Sequence, residues 1–87
     1  MYFVYIVRCK DNTLYTGYTD ELEKRIKIHN KGKGAKYTRG RLPVILCYFE
    51  EYPNKSEALK REISIKKLKR REKLKLIEGL DLNEQFL

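Results

Sequence analysis

Three short runs of β-favouring residues, with little chain between the first two, constrain this fold most strongly. The runs cover residues 2–9, Leu14 to Tyr18 and Val44 to Tyr52. Tyrosine, phenylalanine and aliphatic residues dominate them, as is typical of strands. Residues 10–13 have turn chemistry, so the first two runs form a hairpin. Because 87 residues leave no room for long crossover connections, we predict an antiparallel sheet.

The segment after the hairpin has the pattern of a helix. Leu22, Ile26 and His29 recur at the spacing of one helix face, which is expected to pack on the sheet. Either Thr19 or Asp20 can cap this helix at its N-terminus. The helix is expected to end at about residue 30.

Two further helices are predicted after the third strand. The second helix begins at a Ser56 cap, and its apolar positions include Leu59, Ile63 and Leu68. The third helix runs from about Arg70 to Glu78, with Leu74 and Ile77 inward and Gly79 as the C-cap. The order ββαβαα predicts an α+β domain over residues 1–79, in which about three helices flank a small three-stranded antiparallel sheet. The structure of the tail, residues 80–87, is left undecided.

Composition narrows the class of protein. Hydrophobic residues make up 41% and charged residues 37%, which fits one small globular domain. No apolar stretch approaches the ~20 residues that a membrane span needs, and the N-terminus lacks the features of a signal peptide. Cys9 and Cys47 lack a CxxC pattern, so we expect two reduced thiols packed against strands. We therefore predict a cytoplasmic protein without a membrane partner.

Positive charge is concentrated in two blocks of the chain. The formal net charge is +8, from 20 Lys and Arg against 12 Asp and Glu. Residues 24–41 hold eight basic and no acidic residues, and residues 55–78 hold ten basic and four acidic residues. Such blocks attract polyanions, because binding releases the counterions of a phosphate backbone. For the second block, a solvated helix face is an equally good explanation.

The loop over residues 31–41 is a candidate contact for nucleic acid. It is basic and rich in glycine, so its backbone can approach a phosphate closely. The candidate binding residues in it are Lys33, Lys36, Tyr37, Arg39 and Arg41.

Two strand tyrosines and a glycine are the first candidates for chemistry. A hairpin loop with an odd number of residues, centred near Asp11, places Tyr5 and Tyr15 on one face of the sheet, whereas an even loop separates them. Gly17 within a strand marks either the close approach of another group or a bulge. Ordinary packing is the alternative role for the tyrosines.

Three polar side chains on the predicted helices complete the set. Arg25 and His29 are four residues apart and neighbour each other on one helix face. Glu62 falls inside the apolar arc of its own helix, where a carboxylate needs a basic partner or a metal. The alternatives are a hydrogen-bonded core histidine and an ion pair between Glu62 and Lys66.

These residue types suit phosphodiester hydrolysis. The reaction needs a group that activates water, a group that neutralises the phosphate, and usually a hard divalent cation. Mg²⁺ keeps most of its waters and often takes only one or two carboxylates, so Glu62 could hold it. Arg25 could stabilise charge on the phosphate, and a tyrosine could orient or deprotonate water.

In these motifs the sequence resembles the GIY-YIG endonuclease superfamily, and most closely its small stand-alone bacterial members. The likeness spans about residues 2–77 and includes the segment from Gly34 to Pro43. Its motifs are Val4-Tyr5, Tyr15-Thr16-Gly17, Arg25, His29 and the Ala58-Leu59-x-x-Glu62 setting. The sequence departs from the family pattern in reading Phe3-Val4-Tyr5 without the usual glycine and Tyr-Thr-Gly in place of Tyr-Ile-Gly.

The resemblance implies a role for each matched residue. Tyr5 would activate water, Tyr15 would position it, and Gly17 would allow close packing. Arg25 would contact the scissile phosphate, His29 would assist proton transfer or hydrogen-bond a tyrosine, and Glu62 would bind one Mg²⁺ or Mn²⁺ ion.

We therefore predict a metal-dependent endonuclease that acts on DNA, with branched, flapped or damaged DNA as candidate substrates and RNA left open. The alternative is a nucleic-acid-binding module with little or no cleavage activity. A third hypothesis is a basic adaptor for an acidic protein or RNA surface, in which the tyrosines are only structural. The oligomeric state is left open.

Overall fold

The computed structural model describes residues 1–79 and confirms the predicted α+β class. The elements are β1 (Tyr2–Arg8), β2 (Leu14–Thr19), α1 (Leu22–Asn30), α2 (Lys36–Arg39), β3 (Ile45–Tyr52), α3 (Lys55–Lys66) and α4 (Arg70–Gly79). The three strands form one antiparallel sheet in the order β2-β1-β3. The predicted tail, residues 80–87, lies outside the described residues.

The β1–β2 hairpin sets which residues share a face. Tyr5 pairs with Gly17 and Val7 pairs with Tyr15, so the loop is odd and centred on Asp11. Asn12 lies in this turn with φ 69°, a conformation that asparagine tolerates better than most residues. Tyr5, Tyr15 and Gly17 consequently project from the same face of the sheet.

Helices cover both faces of the sheet. On one face, Val4 and Ile6 are buried with Ala58 and Ile65 of α3, and residues of α4 pack against this cluster. On the other face, Tyr5 and Val7 are buried with Cys9 and Val44, and α1 packs there through Leu22 and Ile26. The sheet is therefore the middle layer, and the face that carries Tyr5 is covered by α1.

A network of charged and hydroxyl groups fixes α3 to β3. Arg61 donates two hydrogen bonds to the carboxylate of Glu50, at 2.9 and 3.0 Å, and the hydroxyls of Tyr48 and Tyr52 donate to the same carboxylate. Burial alone would raise the pKa of Glu50, but Arg61 and the two hydroxyls outweigh it, so the pKa lies below its usual value. Burial and the carboxylate raise the pKa of Tyr48 to about 12. The network therefore holds an ionised carboxylate and sets the position of α3.

The structure corrects the predicted loop over residues 31–41. Its central residues form the single-turn helix α2, which begins after Ala35 and ends at Gly40. A helix of four residues is too short to show apolar periodicity, so the basic, glycine-rich composition concealed it.

The N-caps predicted for α1 and α3 are wrong. Asn54, and not Ser56, caps α3, because its side chain accepts a hydrogen bond from the Glu57 amide at 2.9 Å. The N-cap of α1 is Glu21, without a side-chain cap, while Thr19 Oγ1 accepts from the Glu21 amide at 3.1 Å in the turn before the helix. Several neighbouring polar residues before each helix are suitable N-caps by sequence alone. The direction in which the chain enters the helix decides which of them is the N-cap.

One apolar position of the predicted second helix does not face the core. Ile63 is 53% exposed, whereas Ala58 and Ile65 are fully buried under the sheet. The buried stripe of α3 therefore includes Ala58 and Ile65, and Ile63 is turned away from it. Among residues 1–79, no helix is long and apolar enough to cross a membrane.

Candidate active site

Tyr5 and His29 meet beneath α1. The hydroxyl of Tyr5 lies 2.7 Å from Nε2 of His29, and the two side chains are 1% and 0% exposed. Tyr5 projects from the central strand, and the apolar stripe of Leu22 and Ile26 turns His29 toward the sheet. Two elements that are adjacent in the core thus bring a phenol and an imidazole into direct contact.

The second ring nitrogen of His29 fixes which group donates in this pair. Nδ1 of His29 lies 2.9 Å from Thr38 Oγ1, and the Thr38 hydroxyl donates its proton to the Ala35 carbonyl at 2.9 Å. Since a carbonyl only accepts, Thr38 Oγ1 must accept from Nδ1. Neutral His29 therefore carries its proton on Nδ1, which leaves Nε2 to accept the proton of Tyr5.

The electrostatic setting keeps both groups neutral. Burial raises the pKa of Tyr5, while the nearby Arg25 opposes this effect. Burial, followed by the charge of Arg25, lowers the pKa of His29 below its usual value. At neutral pH the imidazole is therefore unprotonated at Nε2 and available to take a proton.

Two glycines make room for this pair. A Cβ atom at Gly17 would lie 2.5 Å from the Tyr5 hydroxyl, and a Cβ atom at Gly34 would overlap the ring of His29. Both side chains that would be displaced are fully buried, so neither can move aside easily. Gly17 therefore allows the close approach of the Tyr5 side chain. The β1–β2 pairing is regular at this position, so Gly17 does not mark a bulge between these strands.

Tyr15 extends the site toward the surface. Its ring packs edge-on against His29 at 5.5 Å and stacks on the ring of Tyr37 at 5.8 Å. The guanidinium of Arg41 lies 4.2 Å from the centre of the Tyr37 ring and pairs with Asp11 at 2.9 Å. A continuous row of rings therefore joins the buried histidine to the exposed α2.

Arg25 lines an open cleft beside this row of rings. The cleft has a volume of about 420 Å³ and is lined by Tyr2, Tyr18, Thr19, Asp20, Arg25 and Lys55. Arg25 is only partly buried, and its charge acts on both Tyr5 and His29. The guanidinium therefore connects the buried pair with a surface that a substrate can reach.

Glu62 lies on α3 with a side chain that is 13% exposed, and its carboxylate pairs with Lys66 at 3.3 Å. Its negative charge is among the smaller influences that raise the pKa of Tyr5, so it lies within electrostatic range of the phenol. Residues 1–79 contain no group of three or more His, Cys, Asp and Glu side chains that could hold a metal ion. A single carboxylate is compatible with binding of Mg²⁺, because Mg²⁺ keeps most of its water ligands. It is not compatible with a metal site in which every ligand comes from the protein.

Comparison with known proteins identifies the family of this chain. Residues 1–75 match the GIY-YIG catalytic domain. The chain belongs to the GIY-YIG family. A UPF0213 protein of Clostridium perfringens is 60% identical over 85 residues, which cover 98% of this chain and 91% of that protein.

Two solved structures are similar to this GIY-YIG chain along most of its length. The solution structure of a UPF0213 protein from Bacillus halodurans has 48% identity and a TM-score of 0.60, covering 92% of this chain and 86% of that one. A solution structure from E. faecalis has 41% identity and a TM-score of 0.62, covering 93% and 86%. The predicted resemblance and fold are therefore confirmed, and the chain belongs to a nuclease superfamily.

The predicted nucleic-acid residues of this GIY-YIG protein lie in different settings. Lys33, Lys36 and Arg39 are exposed, and Tyr37 is 40% exposed. Arg41 is more confined, because it pairs with Asp11 and donates to the Tyr37 carbonyl at 2.7 Å. Arg41 thus stabilises the position of α2, while the other basic side chains are free to face a partner.

Sequence analysis assigned no role to two residues of this site. Thr38 is fully buried although Tyr37 and Arg39 beside it are exposed, and its role depends on a contact with α1. Gly34 was noted only as part of a glycine-rich loop and of the segment that resembles the family, and its contact with His29 comes from the folded chain. No local periodicity marks either position.

Proposed function

We propose that this GIY-YIG protein is a divalent-metal-dependent endonuclease that hydrolyses phosphodiester bonds in DNA. The observation that carries the proposal is the hydrogen-bonded series Tyr5–His29–Thr38, in which a neutral imidazole accepts from a buried phenol. Branched, flapped or damaged DNA are the candidate substrates, and RNA is an open alternative. A cytoplasmic location belongs to the same proposal and agrees with the free thiols of Cys9 and Cys47.

The hydrogen-bonded series supports activation of water. As Tyr5 takes a proton from the attacking water, its own proton passes to Nε2 of His29, so the phenol need not ionise in isolation. The hydroxide attacks phosphorus, the P–O bond to the leaving oxygen breaks, and that oxygen takes a proton from water. His29 then returns its proton to solvent through Tyr5.

Arg25 is proposed to bind the scissile phosphate, where its fixed positive charge stabilises the charge that develops on the phosphate oxygens. Tyr15 packs against His29 and limits the space in which water can lie. Glu62 is the residue that would hold Mg²⁺ or Mn²⁺, which, when bound, supplies further neutralisation of the phosphate. The present ion pair of Glu62 with Lys66 must loosen for this role.

A cleavage assay with Glu62→Gln tests the proposal. Supercoiled plasmid and branched, flapped and single-stranded DNA and RNA would be incubated with Mg²⁺, Mn²⁺ or EDTA. We expect metal-dependent cleavage that falls by about 100-fold or more in Glu62→Gln, while DNA binding changes by less than about twofold. Glu57→Gln, an exposed position on the same helix, is the matched control and should cleave like the wild type.

The binding module is the second candidate, favoured by the single carboxylate of the site and its existing partner Lys66. Under this candidate, the protein binds the same substrates in a salt-sensitive manner and cuts none of them with any metal. That outcome would overturn the endonuclease proposal.

A further inference from the structure

Two clefts lined by cations lie at opposite ends of β2. The cleft described above, with Arg25 and Lys55, adjoins Tyr18 and Thr19 at the end of the strand. A second groove, of about 260 Å³, adjoins Thr13 and Leu14 at its start and is lined also by Tyr37, Arg70 and Lys73. The cations of the second groove come from α4, which the active site does not use.

The spacing of the two clefts follows from the elements between them. A rise of 3.3 Å per residue separates Leu14 from Thr19 by roughly 16 Å. Helix α3 packs along β1 and β2, and its 12 residues span about 18 Å. Lys55 at its start lies 6.0 Å from the centre of the Tyr18 ring, and α4 begins at Arg70 shortly after its end. Helix α3 therefore runs antiparallel to β2, from one cleft to the other.

The active site lies between these clefts. Glu62 is the eighth residue of α3, about 10 Å along the helix axis from Lys55. Tyr37 lines the second groove and also stacks on Tyr15, whose ring contacts His29. The second groove is thus joined to the active site by the same row of rings that leads from His29 to the surface.

We infer that the substrate strand lies along the β2 edge of the sheet, with Arg70 and Lys73 binding its backbone on the side of the scissile phosphate opposite to Arg25 and Lys55. β2 is an edge strand in the described part of the chain, and its two ends are partly exposed, while Thr16 and Gly17 at its centre are buried. One strand of a duplex rises 3.4 Å along the helix axis per nucleotide, so two sites roughly 16 Å apart can contact different phosphates of one strand. This inference rests on the proposed function, because it extends the substrate site of the same reaction.

Helix α4 offers a matched pair of double variants. Arg70 and Lys73 are three residues apart and neighbour each other on the helix. Arg71 and Lys75 lie roughly 100–140° around the helix from Arg70 and are exposed. The variants R70Q/K73Q and R71Q/K75Q therefore lose the same charge from the same helix, but only the first alters the groove.

Binding would be measured with a labelled DNA duplex that carries a single-stranded flap, in EDTA, across a series of salt concentrations. We expect R70Q/K73Q to weaken binding by about tenfold at moderate salt and to reduce the slope of log K against log salt by about 2. R71Q/K75Q should weaken binding by less than about twofold. Thermal unfolding of both variants would show that each is folded.

Three outcomes would overturn the inference in distinguishable ways. Equal effects of the two variants on binding would mean that α4 contributes only general charge, and no effect of either would mean that the substrate does not reach α4. In both cases, wild-type cleavage would leave the proposed function intact. A wild-type protein that neither binds nor cuts the probe would instead remove the inference and the proposed function together.

Discussion

The Tyr5 hydroxyl donates to Nε2 of His29 at 2.7 Å, so a buried phenol and a neutral imidazole share one proton. The Nδ1 proton of His29 is committed to Thr38, which fixes this direction of donation. The pair therefore accepts a proton only while His29 is neutral, and this condition makes the proposed chemistry dependent on pH.

We predict that the cleavage rate decreases when the pH drops below the usual pKa of histidine. Burial and Arg25 hold the pKa of His29 below its usual value of 6.5, so the imidazole is mostly neutral at neutral pH and takes up a proton as the pH falls through this lowered pKa. Protonation at Nε2 removes the acceptor of Tyr5 and should abolish water activation. Single-turnover rates measured across pH should show an acidic limb whose midpoint lies below pH 6.5, and a midpoint above that value would contradict the assignment of His29.

Removing the acceptor for Nδ1 should reduce the rate without removing a catalytic group. Thr38→Val keeps the shape of the side chain but leaves a buried N–H unpaired, so the proton is free to move to Nε2. We expect cleavage to fall by about tenfold or more, and Thr38→Ser to retain most of the activity. The ¹⁵N chemical shifts of the imidazole would report the tautomer directly. Unchanged shifts in Thr38→Val would show that Thr38 does not set it.

The variant Gly17→Ala, with Gly40→Ala as its control, tests the close approach of Gly17 to Tyr5. An added Cβ at Gly17 would lie 2.5 Å from the buried Tyr5 hydroxyl, whereas at Gly40 it would meet nothing within 4 Å. Gly17→Ala should reduce cleavage by more than about tenfold and destabilise the fold by about 1–3 kcal/mol. Gly40→Ala should change neither. Chemical unfolding and cleavage measured together would refute the assignment if the two variants behave alike.

The two strand tyrosines are expected to differ in their contribution to the rate. Tyr5 is the tyrosine that donates to His29, while Tyr15 contacts the same ring only through its edge. Tyr5→Phe should therefore cost more rate than Tyr15→Phe, by at least about tenfold. Single-turnover cleavage with the opposite order would reverse the two roles.

The carboxylate of Glu50 should be important for stability, because it accepts from Arg61 and from two tyrosine hydroxyls. Glu50→Gln leaves the partly buried guanidinium without a charged partner, and we expect a loss of about 1–3 kcal/mol in the free energy of unfolding. Its exposed neighbour provides the control, and Glu51→Gln should change stability by less than about 0.5 kcal/mol. Urea unfolding of both variants checks this, and equal stabilities would mean that the network is dispensable.

The fold was predictable because local patterns agree with the tertiary structure. Alternation within the strands and the short turn predicted the hairpin, but left open whether its loop is odd or even. The structure has the odd loop, which places Tyr5 and Tyr15 on one face. The stripe of Leu22, Ile26 and His29 predicted which side of α1 is buried, and the structure places these three residues toward the sheet. The functional roles of these residues stay predictions.

Other features of the structure could not be predicted, because they depend on contacts between residues that are distant in sequence. Asn54 caps α3 where Ser56 was expected, because the direction in which the chain leaves β3 selects between two suitable residues. Thr38 is buried by its contact with His29, nine residues away, and no local pattern indicates it. The one-turn α2 lacks the length for periodicity. In each case, the packing of a neighbouring element decides what the local sequence leaves open.

Helix α3 carries its anchor and its proposed metal ligand on consecutive residues: Arg61 pairs with Glu50 of β3, and Glu62 pairs with Lys66. One peptide unit separates them, so the two side chains keep a phase difference of about 100° around the helix. Insertions or deletions in the turn before α3 preserve this phase. A single residue gained or lost between Ala58 and Arg61 rotates Arg61 and Glu62 by about 100° relative to Ala58, which lies in the buried stripe. We therefore expect insertions and deletions inside this part of α3 to be tolerated far less than those in the turns that join it to the sheet.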